Sequence, residues 1–133
     1  MNAQKTTKVS QAMTASLHTI DAMATVKDAI QAMRAHNVSS LAVERRDEHD
    51  EFGLLAIVDI AREVIAANRA AERVNVYEIM SKPVVTLPAD MNIKYGVRFL
   101  VRFGLSRALV VDAERKPVGI VTLRDMVLCY GVD

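Results

Sequence analysis

The chain has 133 residues, 51% of them hydrophobic and 25% charged, with a net charge of +1. That length suits one compact domain or two small halves sharing a core, and that balance excludes a disordered chain. Lys and Arg are spread along the sequence, which argues against a nucleic-acid partner, and no apolar run approaches the roughly 20 residues of a membrane span.

Residues 1–8 are polar and read as a flexible tail. Val9 to Met13 form a short helical turn, and Leu17 to Ile20 a short strand. Thr25 starts a helix, with Asp28 completing a capping box, in which the hydroxyl accepts the N3 amide and the carboxylate accepts the cap amide. Val26, Ala29, Ile30 and Met33 make one apolar helix face. Asn37 ends the helix in the left-handed conformation. A strand begins at Leu41 to Val43, and the charged stretch Glu44 to Glu51 is a solvated hairpin loop. A second strand is predicted over Phe52 to Val58, then a helix from Asp59 to Ala71 with Ile60, Val64 and Ile65 on its inner face.

The second half repeats this order. A shift of 67 carries Met13 onto Met80, Ile20 onto Leu87, Val26 onto Ile93, Ile30 onto Val97, Met33 onto Leu100 and Ser39 onto Ser106. Asn37 falls on Gly104, a different residue suited to the same backbone conformation. After the hairpin the shift is 66, and Gly53-Leu54-Leu55-Ala56-Ile57-Val58-Asp59 overlays Gly119-Ile120-Val121-Thr122-Leu123-Arg124-Asp125. Self-similarity of this length implies an α/β (α+β) fold of two β-α-β-β-α units, divided as a tail over 1–8 and repeats over 9–71 and 72–133. Neither unit alone buries a good core. The two are expected to pack sheet against sheet as a pseudo-two-fold pair with helices outside.

Gly119 to Asp125 reads as a buried strand entering a helix. Thr122 with Asp125 fits a capping box, and it also fits a ligand site. Free N–H groups at a helix start favour a phosphate, and a carboxylate beside them can hold the hydroxyl donors of a sugar. Spacing alone leaves both uses open.

At this point the chain resembles the cystathionine-β-synthase (CBS) domain family, as a tandem pair over about residues 9–131. The resemblance rests on the glycine, two apolar residues, Thr, two variable residues and Asp at Gly119 to Asp125, on its partial copy at Gly53 to Asp59, and on the run Gly104 to Asp112. It implies an adenosine-nucleotide-binding regulatory module that is not an enzyme and has no catalytic residues. Asp125 would hold ribose hydroxyls, Thr122 would help hold phosphate, and Arg107 would present its planar fork to phosphate. Adenine would lie against the opposite repeat at Ile20, Val38, Ser39 and Ser40. The implied ligand is AMP, ADP, ATP, NAD or S-adenosylmethionine. In the first repeat Asp59 is kept, but Ala56 replaces Thr122 and Ser40 replaces Arg107, so a second site at Asp59 would be weaker, and Ala56→Thr is expected to strengthen it. The rival from another class is a ligand-free dimerisation module. A pair of ACT-type domains is disfavoured, since it needs a strand after the second helix and the chain stops at Asp133.

Other constellations carry less. Asp47, Glu48, His49, Asp50 and Glu51 offer metal-type ligands without fixed geometry, and no metal is expected. His18 and His36 lack a partner at ligand spacing and read as surface or packing residues. Cys129, the only cysteine, lies in the apolar run Met126 to Tyr130 and reads as a packing residue. With no internal disulfide and no visible signal peptide, the chain is expected to be cytoplasmic. The same apolar run predicts a homodimer, and with no effector domain fused here a separate partner protein is expected.

Overall fold

The structure, a computed structural model, describes residues 6–82 and 84–130. Residues 1–5 of the expected tail and the chain end at Asp133 lie outside them. The elements in chain order are α1 (Val9–Ala12), β1 (Thr19–Ile20), α2 (Val26–His36), β2 (Ser40–Val43), β3 (Gly53–Ala56), α3 (Ile57–Ile60) and β4 (Thr86–Pro88), followed by α4 (Ile93–Arg102), β5 (Arg107–Val111), β6 (Pro117–Thr122) and α5 (Leu123–Cys129). A π-helical turn (Ala61–Ile65) follows α3, and two 3-10 turns (Ala71–Arg73 and Val76–Glu78) precede β4. Among the described residues no helix is long and apolar enough to cross a membrane.

The chain forms two compact units, residues 18–84 in one and residues up to 17 with those from 85 onward in the other. In the first, β1 runs parallel to β2, which runs antiparallel to β3. Val26, Ala29 and Met33 of α2 join Leu41, Val43 and Leu55 of the sheet in one buried cluster. The predicted capping box holds in both directions: Thr25 Oγ1 accepts the Asp28 N–H at 3.1 Å, and the Asp28 carboxylate accepts the Thr25 N–H at 3.2 Å. In the second unit β4 runs parallel to β5, which runs antiparallel to β6. Its core gathers Leu87, Ile93, Leu100, Val110, Val121 and Met126. Asn37 (φ 54°) and Gly104 (φ 65°) take the same left-handed conformation after α2 and α4, as the repeat predicts.

The compact units are not the contiguous repeats. α1, which heads the first repeat in sequence, packs with α4, α5 and β6 of the second unit. Val9 N–H donates to Met91 O at 2.7 Å and Ser10 N–H to Ala89 O at 2.9 Å. The segment heading the second repeat does the same in the first unit: Val76 N–H donates to Ala24 O at 2.8 Å and Tyr77 N–H to Ala22 O at 3.0 Å. Every donor and acceptor in these two pairs of bonds is related by the shift of 67. Val9 is fully buried, and burial of a valine contributes about 1.5–3 kcal/mol, enough with two backbone bonds to hold a one-turn helix in place. The expected flexible tail is corrected at its inner end, because Thr7 O accepts the Ile93 N–H at 2.9 Å and Lys8 bridges Asn92.

The same segments explain the glycine opening each copy of the motif. Thr14 N–H donates to Ile120 O at 3.0 Å, so the chain passes directly over Gly119, where a Cβ would stand 2.6 Å from Thr14 O. At Gly53 a Cβ would stand 2.9 Å from the Met80 sulfur and 3.2 Å from Ser81 O.

Three other expectations change. The strand predicted over Phe52 to Val58 stops at Ala56, because Ile57 N–H turns to Ser39 O at 2.9 Å and opens the helix. The helix predicted from Asp59 to Ala71 is α3 with its π turn, closed by Ala66 N–H to Ala61 O at 2.8 Å. That wider turn keeps Ile60 and Val64 buried but swings Ile65 outward, where it is 69% exposed. His18 and His36 pack on each other, as surface or packing residues can, with their ring centroids 3.8 Å apart and their planes 14° apart. In the charged loop, Asp50 is gripped by Lys82 at 2.6 Å and Arg46 at 3.2 Å.

Candidate functional site

In the second unit the antiparallel register sets Arg107, the first residue of β5, opposite Thr122, the last residue of β6. Cross-strand partners point to the same face, so the guanidinium and hydroxyl bearers are neighbours by construction. Leu123 N–H donates to Ser106 O at 2.8 Å and turns the chain into α5. Thr122 Oγ1 then accepts the Asp125 N–H at 3.0 Å. The cap is therefore made by the hydroxyl and a backbone amide. The Asp125 carboxylate is half-buried and, among the described residues, has no hydrogen-bond or ion-pair partner.

The first unit solves the same turn the other way. Ser40 stands opposite Ala56, so both replacements noted in the sequence fall on one cross-strand pair. Ala56 has no hydroxyl to cap the helix. The Asp59 carboxylate takes over: its Oδ2 accepts the Ala56 N–H at 2.9 Å, and its Oδ1 accepts from Arg62 Nη2 at 3.2 Å. Asp59 is 8% exposed, and both its oxygens are engaged. Arg62 was missed in the sequence. Its position three residues after Asp59 was the available signal, since i and i+3 share a helix face. The matching position of the second repeat is Leu128, which cannot make this pair.

The structure thus brings Arg107, Thr122 and Asp125 together in one unit, and Ser39, Ser40 and Asp59 together in the other. Ser40 is buried, Val38 half-buried and Ser39 exposed. Ile20 stands apart from them. It pairs with Val43 at the far end of β2, about 10 Å along the strand from Ser40. Val38 also borders a groove of about 460 Å³ walled by Ile30, Met33, Ile57, Ile60 and Ile65.

These two β-α-β-β-α units, each carrying the glycine-to-aspartate turn, define a tandem-repeat protein. The CBS domain model matches residues 9–66 and 76–130, and the chain belongs to the CBS domain family. It is 33% identical over 95 residues to an uncharacterized protein of Methanopyrus kandleri, covering 71% of this chain and 47% of that one. It is 32% identical over 120 residues to the choline transport ATP-binding protein OpuBA of Bacillus subtilis, covering 90% of this chain and 30% of that one. The chain thus spans less than half of either relative. Among solved structures, the hexameric CBS-CP12 protein from bloom-forming cyanobacteria matches with a TM-score of 0.91 and 29% identity, over 97% of this chain and 75% of that one. The CBS domain pair of protein MJ0100, in complex with 5′-methylthioadenosine and S-adenosyl-L-methionine, matches with a TM-score of 0.79 and 26% identity, over 96% of this chain and 98% of that one.

Proposed function

We propose that this chain is a non-catalytic regulatory module that binds an adenosine-containing ligand through the second repeat. The observation that carries the proposal is the Asp125 carboxylate, half-buried and unpartnered beside a hydroxyl that already caps the helix. A carboxylate freed from capping can accept both hydroxyls of a ribose. Thr122 and Arg107 supply a hydroxyl and a cation for a phosphate, if the ligand carries one. To the adenine we assign, on family resemblance, Ile20, Val38, Ser39 and Ser40. The adenosine compounds held by the MJ0100 pair support the ligand class. Asp59 is assigned a structural role, with ligand binding there weak at best.

Calorimetric titration with AMP, ADP, ATP, NAD, S-adenosylmethionine and 5′-methylthioadenosine tests this. Binding of at least one, abolished or strongly weakened in Asp125→Asn, is expected, and heat from none of the six would remove the proposal. We further propose that the module acts in the cytoplasm as a homodimer. Val127, Leu128 and Tyr130 of the last helix and its end are exposed, an apolar surface of the kind that marks a contact. Leu128→Glu should convert the dimer to monomer in sedimentation.

A further inference from the structure

A cavity of about 640 Å³ opens in the first unit, at the end of its sheet away from Ser40 and Asp59. It begins where β1 and β2 end. Glu44 N–H donates to Ile20 O at 2.9 Å, so Asp21 and Glu44 follow directly on the Ile20–Val43 pair. Arg46 of the hairpin loop lines it as well, with Tyr77, Met80 and Lys82 from the segment that heads the second repeat. All of these residues belong to one compact unit.

Both signs of charge line this cavity, and each group is set by a bond that leaves part of it open. Asp21 Oδ1 accepts the Met23 N–H at 2.7 Å, and Glu44 Oε1 accepts the Thr19 hydroxyl at 3.2 Å. The other oxygen of each carboxylate has no partner among the described residues. The Asp50 carboxylate, its side chain 10% exposed, accepts from Lys82 Nζ at 2.6 Å and from Arg46 Nε at 3.2 Å. Both Nη groups of Arg46 remain without a partner among the described residues. Arg45 is turned to other work, its guanidinium lying over the Phe52 ring at 5.1 Å. The Tyr77 ring and the Met80 thioether add apolar surface between the charges and solvent.

The repeat supplies an internal control. Under the shift of 67 the apolar positions persist, Ala22 as Ala89 and Met80 as Met13. Asp21, Glu44, Arg46, Tyr77 and Lys82 become Pro88, Val111, Ala113, Ser10 and Ala15. The second unit forms the same parallel pair, β4 with β5, without any of those charges. Folding of this sheet end therefore does not require them.

We propose that this cavity binds a free α-amino acid with a large apolar side chain, such as methionine, leucine or phenylalanine. Its ammonium donates to the open oxygens of Asp21 and Glu44, its carboxylate accepts from Arg46 and Lys82, and its side chain lies on Tyr77 and Met80. The two signs of charge select a zwitterion. A phosphate would meet two carboxylates, and a metal cation would meet two cations. Among the described residues no group of three His, Cys, Asp or Glu could hold a metal. An uncharged apolar molecule would cover the charges without pairing them, at a cost in desolvation. The volume falls within the roughly 300–1,000 Å³ of small-molecule sites. The cavity shares no residue with the proposed adenosine site and does not depend on it.

Calorimetric titration of the full chain with the twenty free amino acids, in the absence of nucleotide, tests the proposal. Saturable binding of at least one of methionine, leucine and phenylalanine is expected. The N-acetyl derivative of that amino acid lacks the ammonium, and its amide lacks the carboxylate. Each should bind about ten-fold or more less tightly. Glu44→Gln and Arg46→Gln should weaken the free amino acid to a similar degree. The melting temperature of Glu44→Gln should stay close to wild type, since the amide oxygen can still accept the Thr19 hydroxyl. The proposal is overturned if none of the three binds at millimolar concentration, if a blocked derivative binds as tightly as the free amino acid, or if Glu44→Gln leaves the affinity unchanged. Binding of pyrophosphate that is lost in Arg46→Gln would overturn it in favour of an anion site. Binding of calcium that is lost in Glu44→Gln would overturn it in favour of a cation site.

Discussion

Arg107 and Thr122 stand directly opposite each other where β5 begins and β6 ends, and their counterparts Ser40 and Ala56 stand opposite each other in the first unit. One cross-strand pair therefore carries most of the chemical difference between the repeats. The aspartates three residues on differ too. At Thr122 the hydroxyl caps the helix and the Asp125 carboxylate takes no part in the cap; at Ala56, which has no hydroxyl, the Asp59 carboxylate accepts the cap amide.

Asp125→Asn separates ligand binding from capping. The cap bond uses the Asp125 backbone N–H, which the substitution keeps. The apo melting temperature should change little. Wild type in a bound nucleotide at about 100 times its dissociation constant should gain about 2.7 kcal/mol, and the variant should lose most of that gain. Thermal melting with and without AMP and ATP measures both. An apo protein clearly destabilised while the nucleotide-induced rise persists would sink the role assigned to Asp125. Thr122→Ala should show the opposite apo behaviour, losing about 0.5–2 kcal/mol of cap stability without any ligand.

Asp59→Ala is predicted to be costly where Asp125→Ala is not. It removes the buried acceptor of the Ala56 N–H, a loss of about 1–3 kcal/mol. The Arg62 pair adds little to this, because Arg62 is largely solvent-exposed. The same geometry revises the expectation for Ala56→Thr. A hydroxyl alone leaves Arg62 on the carboxylate, so stoichiometry should not change. Ala56→Thr with Arg62→Leu restores the hydroxyl of Thr122 and the uncharged side chain of Leu128, although Ser40 still stands in place of Arg107, and a second, weaker site should appear in calorimetry. Two sites in the single variant would show that Arg62 does not matter.

Gly119→Ala should destabilise by about 1–3 kcal/mol in urea denaturation, because backbone rather than a movable side chain blocks the new Cβ. Gly104→Asn is the contrasting case. The site is open, and Asn37 already holds the same conformation in the other repeat. A change within about 0.5 kcal/mol is expected there.

Asp50 gives a pH-dependent prediction. The Lys82 ammonium, aided by the Arg46 backbone N–H, holds its carboxyl well below the usual carboxylate range of about 3.8. A depressed folded-state value means that the ionised form stabilises the fold above the unfolded value, and that this contribution is lost as pH falls towards the folded one. Asp50→Asn should therefore lower the melting temperature at neutral pH, and the gap to wild type should narrow only below about pH 4. A gap independent of pH down to pH 2 would mean that the carboxylate's charge is not what holds the loop.

Much of this protein is local and was therefore legible in the sequence. The helix starts at Thr25 and Thr122, the left-handed stops at Asn37 and Gly104, and the repeat shifts of 67 and 66 depend on neighbours a few residues away and on self-similarity. The motif also located Asp125 and Thr122 at a strand-to-helix turn, although spacing alone could not say whether the carboxylate or only the hydroxyl served the cap. Tertiary structure decided that, by bonding the Asp59 carboxylate to the Ala56 N–H and Arg62 while the Asp125 carboxylate has no partner among the described residues. It also decided what no local pattern encodes. The leading segment of each repeat completes the other compact unit, because its backbone donors meet acceptors about 50 to 80 residues away in sequence. The motif glycines are required by that long-range crossing and not by their own φ. Ile57 and Val58, apolar enough for a strand, turn into a helix because Ser39 O and the Asp59 carboxylate take the amides that a longer strand would need.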